Sequence, residues 1–332
     1  MSKRFTYSKA PLRRVTEVQF CVWSPDAITA QSMTQEFTTS KGESVPAGVT
    51  KAVTFVDGEG VYGGVNDPRM GGDNEREDED DPGFFGHINL AEPMYNIGYI
   101  NEVRTILGCV CFHCGTILED ARNAKMRDAL KIKHPKARRR AIHQCTKGKR
   151  RCFGGDQLDE NTNDQRTNDQ DDGINGGTRR TIGCGRPQPI KLIKPSADKL
   201  FIEFDASDQD IPGNGERRQQ LLAKDAHTIL KLISNDDIIK LGFHPKYARP
   251  EWFIWTVLPV PPPPTRPSVE FGSGISDDDL THKYINIVKA NNALRRSKEN
   301  GDAPNIQQEV SKSLKPAKVG KRFKSGVLCF GF

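Results

Sequence analysis

Cys111 and Cys114 stand with two residues between them in the segment GCVCFHCGTIL, and this pair constrains the fold more than any other feature. A C-x-x-C spacing lets one tight turn present two thiolates to a metal at about 2.3 Å. Two further cysteines, Cys152 and Cys184, flank a long acidic run, each beside basic or turn-forming residues. A tetrahedral site of four thiolates is one reading. The gaps between Cys114, Cys152 and Cys184 exceed those of a zinc ribbon, so Cys109, His113, His143 and Cys145 compete as ligands. The bland alternative is that the lone cysteines are small buried apolar groups.

Such a cross-link would matter here, because apolar residues make up 35% of the chain, charged residues 28%, and the mean hydropathy is −0.63. That is less core material than a compact globule of 332 residues usually holds, so part of the chain is expected to stay unpacked. Charge is segregated within the net +6. Arg122 to Arg151 carries thirteen Lys and Arg against one acid, Asp128, whereas Asp73 to Asp81 and Asp156 to Asp172 carry seven carboxylates each. The basic block is a plausible footprint on phosphate; the acidic runs read as solvated, disordered loops. No apolar run approaches the roughly 18 residues of a membrane span, and the N-terminus lacks the apolar stretch of a secretory signal. An intracellular chain is expected, in which cysteines stay reduced and clustered ones bind metal rather than pair.

Local signals give an α+β expectation. Val15, Val18 and Phe20 fall near the period of two of a strand, Ser24 and Pro25 open a short helix over 26–35, and 38–64 reads as irregular strands and loops. The apolar stretch from Pro82 to Cys114 is the first candidate core. Residues 119–143 read as helix, and 191–204 as strands. A helix over 225–233 precedes a second one that Ser234 and Asp237 cap and Gly242 closes. Pro261 to Pro264 are four successive prolines. Each fixes φ and removes a donor, so 259–267 is predicted to be a stiff polyproline spacer. A last helix over 277–296 aligns Leu280, Tyr284, Ile287, Val288, Asn291 and Leu294, with Ser276 and Asp279 at capping spacing; no periodicity follows Asn305.

Catalytic patterns are missing: there is no GxxxxGK[ST], HExxH or GxSxG, and no aspartate cluster of the D-x-D-x-D kind to hold Mg²⁺. Asp277 to Asp279 reads as helix capping.

The segments VNDPRMG (65–71), PGFFGHINLAEP (82–93), GCVCFHCGTIL (108–118), RPEWFIWTVLPVPPPPTRPS (249–268) and DDLTHKYINIVKAN (278–291) resemble, in order, the largest subunit of eukaryotic RNA polymerase II. APLRRVTEVQF agrees with that subunit's opening, and the four-proline run resembles the polymerase II version more than those of polymerases I and III. The resemblance covers about residues 7–305.

The resemblance implies an α+β, zinc-stabilised clamp lobe that closes over DNA and the RNA–DNA hybrid. It implies one structural Zn²⁺ on Cys111, Cys114, Cys152 and Cys184, and a lid loop from Arg266 to about Asp278. Arg138, Arg139, Arg140, Lys147, Lys149 and Arg266 are the candidate nucleic-acid contacts. The implied partners are the other polymerase II subunits, chiefly the second-largest, and the implied location is the nucleus. On this basis 1–104 reads as an N-terminal clamp segment, 105–190 as a clamp head, 191–310 as clamp core with the lid, and 311–332 as a divergent basic tail. The family's second zinc motif is degenerate here, with Asp81 and Phe84 in place of a cysteine and a histidine, while His87 matches a non-ligand position. The catalytic Mg²⁺-binding aspartate loop does not occur, so a shortened or divergent copy without catalytic residues of its own is expected, although its family belongs to a nucleotidyltransferase. Two other readings stand beside this one: a free-standing zinc-dependent nucleic-acid module, and a scaffold presenting its prolines to an SH3-like groove. Trp252, Trp255 and Leu258 count against the scaffold, because they tie the prolines to a core.

Overall fold

The computed structural model describes residue 14 and residues 21–39, 42–71, 83–120, 122–153, 183–196, 199–204, 217–271 and 274–313. The expected strand at 15–20, both acidic runs, Asp81 and the tail beyond 313 lie outside the described residues.

A long antiparallel ladder joins distant parts of the chain. Strand β5 (Gly86–Tyr95) pairs with β9 (Ile254–Val260), Ile88 facing Leu258 and Tyr95 facing Ile254; β1 to β4 are two-residue strands at Phe37–Thr38, Ser44–Val45, Phe55–Val56 and Glu59–Gly60. The ladder is interrupted between Asn89 and Met94. Helix α7 (Asp279–Glu299) supplies what the interruption frees. Asn291 Oδ1 accepts from the Ala91 N–H at 2.8 Å, and Asn291 Nδ2 donates to the Asn89 carbonyl at 2.9 Å. Lys298 Nζ donates to the Ala91 carbonyl at 2.8 Å. The polar Asn291 on an otherwise apolar stripe is thereby explained: buried backbone groups must find partners. The rest of that stripe, Tyr284, Ile287, Val288 and Leu294, packs with Ile88, Leu258 and Val260 in one core. A second polar corner lies in VNDPRMG. There the Asp67 carboxylate, fully buried, takes the Arg69 guanidinium at 2.7 Å and the Gly63 N–H at 2.7 Å.

The larger core gathers α2 (Ile100–Leu107), α3 (Ala124–Lys131), α4 (Pro135–Thr146), the three-stranded meander β6 (Lys191–Ser196), β7 (Lys199–Glu203), β8 (Arg218–Leu221), and α5 (Ala223–Lys231) with α6 (Asn235–Lys240). Val103, Ile106, Leu107, Leu200, Leu230 and Ile238 lie at its centre. Ser234 caps α6 by accepting from the Asp237 N–H at 3.2 Å, and Gly242 takes φ +83° at its end, as expected; the Asp237 carboxylate, expected to cap as well, instead accepts from Lys240 Nζ at 2.8 Å.

The structure corrects five local expectations. Helix α1 (Pro25–Gln31) stops short of the expected end at 35, because Ser32 is already extended. Residues 259–267 are not a uniform polyproline spacer. Pro259 belongs to β9 opposite His87, and Pro263–Thr265 is a 3₁₀ turn closed by the Thr265 N–H on the Pro262 carbonyl at 3.1 Å. Prolines suit both places, since the ladder is two-stranded and the first turn of a helix needs no donor. Helix α7 begins two residues late, because Asp278 rather than Ser276 accepts the free N–H of Leu280 at 3.1 Å. The predicted single helix over 119–143 breaks at Pro135 into α3 and α4, which run on to Thr146. Beyond Asn305, where no periodicity was expected, α8 (Pro304–Ser313) packs against α7. The remaining strands, β10 (Val269–Phe271) and β11 (Gly274–Ser276), form a hairpin between the prolines and α7.

Candidate metal centre

Helix α2 ends at Leu107, and the chain turns back on itself at once. Val110 bridges Ile117, the Cys111 N–H reaches the Thr116 carbonyl at 2.8 Å, and the Gly115 N–H reaches the Cys111 carbonyl at 3.0 Å. Gly115 has φ +73°, which lets the loop close beneath both thiols. A second short bridge, Arg151 with Pro187, brings Cys152 and Cys184 to the same place; the Cys152 N–H donates to the Arg186 carbonyl at 3.0 Å. Gly183 sits against the cluster, where a Cβ would lie 2.7 Å from Cys152 Sγ and collide with the Phe153 carbonyl.

The sulfurs of Cys111, Cys114, Cys152 and Cys184 all lie within 4.8 Å of one another. Cys111 Sγ is 3.5 Å from Cys184 Sγ, and Cys114 Sγ is 3.8 Å from Cys152 Sγ. These separations are far from the roughly 2.05 Å of a disulfide. They match the edge of a tetrahedron of four thiolates about 2.3 Å from a central ion, roughly 3.8 Å. Both donor set and spacing therefore fit a metal ion such as zinc, and four protein ligands leave no open coordination position for a reactant. Cys111 and Cys152 are buried, Cys114 is half-buried and Cys184 is exposed. Burial pushes the Cys111 and Cys152 thiols up. Burial also pushes on Cys114, but hydrogen bonds from Thr116, Cys111 and Cys184 outweigh it and bring that thiol down to about 7.

The competing ligands lie elsewhere. The Cys109 thiol, pushed up to about 12 by burial, donates to the Thr105 carbonyl at 3.1 Å. Cys145 and His143 belong to α4, and the His113 ring faces Arg186 Nη1 at 3.5 Å. Two neighbours of the cluster were not anticipated: Thr116, whose Oγ1 is 3.0 Å from Cys114 Sγ, and Gln188, whose Nε2 donates to Cys111 Sγ at 3.2 Å. Neither carries a sequence signal, since both act through a contact made by the fold. His87 is fully buried, with Nδ1 2.7 Å from Ser32 Oγ and 3.2 Å from Thr34 Oγ1, and Phe84 is exposed.

The six basic candidates separate by burial into three groups. Arg140, Lys147 and Lys149 are exposed, Lys149 pairing with Glu119 at 2.9 Å. Arg138 is half-buried and donates to the Ile132 and Ile239 carbonyls. Arg139 and Arg266 point inward. Arg139 is 7% exposed, with Glu102 Oε2 at 2.8 Å and the Phe243 ring beneath it at 4.3 Å. The buried face of α4 runs through Arg139, Ile142 and Thr146, a helical spacing that could have revealed its direction. Arg266 is 3% exposed and spends its donors on Asn66, Thr281 and the Pro261 and Val65 carbonyls. Guanidinium groups so engaged are not presented to phosphate in this conformation.

The fold and site together define a mixed α+β domain whose four clustered cysteines could hold a metal ion. The sequence matches the family described as RNA polymerase Rpb1, domain 1, over residues 12–317. The chain belongs to that family, the N-terminal region of the largest subunit of DNA-directed RNA polymerase, and so to an assembly of polymerase subunits and nucleic acid. Among the described residues no helix is long and apolar enough to cross a membrane.

Proposed function

We propose that this chain acts as the clamp part of the largest subunit of RNA polymerase II, holding DNA and the RNA–DNA hybrid in the nucleus with the second-largest subunit as its main partner. Cys111, Cys114, Cys152 and Cys184 hold one structural Zn²⁺, and no catalytic residue is assigned to this chain; Mg²⁺ belongs to the complete polymerase. The convergence of four sulfurs within 4.8 Å, in a chain of this family, carries the reading. When bound, the ion supplies cross-linking rather than chemistry, tying the loop after α2 to the segments around 152 and 184. Structural zinc contributes on the order of 10 kcal/mol to folding, comparable with the net stability of a whole domain. The hairpin of β10 and β11 lies within the stretch assigned to the lid, and Arg140, Lys147 and Lys149 offer the sequence-independent phosphate contacts a clamp needs.

Elemental analysis of the purified chain is expected to find one zinc per molecule. Cys152→Ala is expected to lose the ion and most of the thermal transition, and Cys145→Ala to keep both; equal behaviour of the two variants contradicts the ligand set. Recovery with the second-largest subunit supports the clamp. Salt-sensitive DNA binding without that subunit favours instead a free-standing zinc-dependent module.

A further inference from the structure

We propose that Gln188 is a positioning residue of the metal centre: its side-chain amide orients Cys111 and offsets part of the negative charge of the thiolate cluster. The proposal rests on the metal reading above and deepens it.

Gln188 lies between two prolines and is 1% exposed. Its Nε2 donates to Cys111 Sγ at 3.2 Å and to the Arg186 carbonyl at 3.1 Å, while Oε1 accepts from the Phe112 N–H at 2.9 Å. These three contacts determine which end of the amide is which. A flipped amide would set its oxygen against a sulfur and a carbonyl, both acceptors, and face its protons toward an N–H. The main chain of the same residue is held as well, its N–H on the Arg150 carbonyl at 2.7 Å. Gln188 therefore joins the first cysteine turn, the stretch before Cys152 and the stretch after Cys184.

Charge explains why an amide suits this place. Four thiolates around a divalent cation carry an excess of about two negative charges, and Cys111, fully buried, has little water to solvate its share. Donors aimed at sulfur stabilise the ionised form. Cys111 receives the Gln188 amide at 3.2 Å and the His113 N–H at 3.4 Å. A carboxylate of the same shape would reverse the effect of the first.

The full chain loaded with Co²⁺ tests this. Gln188→Glu keeps the size and the acceptor for Phe112 but opposes the thiolate; Gln188→Met removes every polar atom. Transfer of metal to a chromophoric chelator is expected to be about 10- to 100-fold faster in Gln188→Glu than in the wild type, with Gln188→Met between. The thiolate-to-cobalt charge-transfer band is expected to move to lower energy in both variants, a change that a mere staple between Phe112 and Arg186 would not cause. Wild-type rates and an unmoved band in both variants overturn the role of Gln188 while leaving the metal reading intact. Failure of the wild-type chain to take up Co²⁺ overturns both. Should the variants not fold, the ¹¹³Cd-loaded wild type decides: a scalar coupling between cadmium and the Gln188 side-chain amide protons is expected, and its absence overturns the proposal.

Discussion

Arg266 Nη1 donates to Asn66 Oδ1 at 2.7 Å across 200 positions of sequence, and so ties the foot of the β10–β11 hairpin to the VNDPRMG corner. The same guanidinium holds Thr281 Oγ1 at 3.0 Å, the Pro261 carbonyl at 3.0 Å and the Val65 carbonyl. Burial lowers its pKa to about 10, against the opposing influence of Tyr284, Asp277 and Asp278, so the group stays charged at neutral pH. Arg266→Ala strands these buried acceptors and is expected to cost about 3 kcal/mol in denaturant unfolding. Arg266→Lys is expected to recover only part, because an ammonium cannot make the forked set of contacts.

Arg139 and Arg140 are neighbours in sequence with opposite expected effects. Arg139→Ala removes the contacts with Glu102 and Phe243 and is expected to lower stability by about 2 kcal/mol. Arg140→Ala and Lys147→Ala, at exposed positions, are expected to change stability by no more than about 0.5 kcal/mol. Each is expected to reduce the salt slope of DNA binding by about 1, read from filter binding across a salt series. An unchanged slope in both exposed variants removes this surface from the nucleic-acid contacts.

Gly115 and Gly148 separate backbone strain from crowding. Both have positive φ, +73° and +85°. A Cβ at Gly115 would lie 2.6 Å from the Leu232 carbonyl carbon and oxygen, whereas one at Gly148 meets nothing within 4 Å. Gly148→Ala is therefore expected to cost about 1 kcal/mol, the left-handed penalty alone. Gly115→Ala is expected to cost several-fold more in thermal unfolding and to lower the zinc found per chain.

Acid is expected to weaken the β5–β9 region through His87. Burial lowers the pKa of its ring, which faces Ser32, Thr34 and Asn89, below the ordinary 6.5. Below that value the unfolded chain binds a proton that the folded chain refuses, so stability falls as pH drops through 6.5 and levels off below the folded pKa. The slope is at most about 1.4 kcal/mol per pH unit. Urea midpoints between pH 7.5 and 5 are expected to fall less steeply in His87→Gln than in the wild type; identical slopes contradict this role for the ring.

The signals that were readable in advance are local ones. Ser24 and Ser234 cap the helices that follow them, Gly242 ends one, and the Tyr284 to Leu294 stripe faces a core. Local reasoning failed where a long-range contact decided the outcome. The prolines before Arg266 were drawn partly into strand by β5, and the cap of α7 moved to the aspartate whose side chain met the free N–H. α8 lies past the last residues read as periodic, and it forms against α7.

Residue order alone settles the caps at Ser24 and Ser234, the tight turn that pairs Cys111 with Cys114, and membership of the family, because each depends on residues within a few positions of one another or on their order along the chain. Folding in three dimensions was needed to bring Cys152 and Cys184 to the same point, to lay Gln188 against Cys111, to put Asn291 beside the interrupted ladder and to turn Arg266 inward. The physical reason is that a buried polar group takes whichever partner the packed chain delivers to it, and that partner's place in the sequence carries no mark of the meeting.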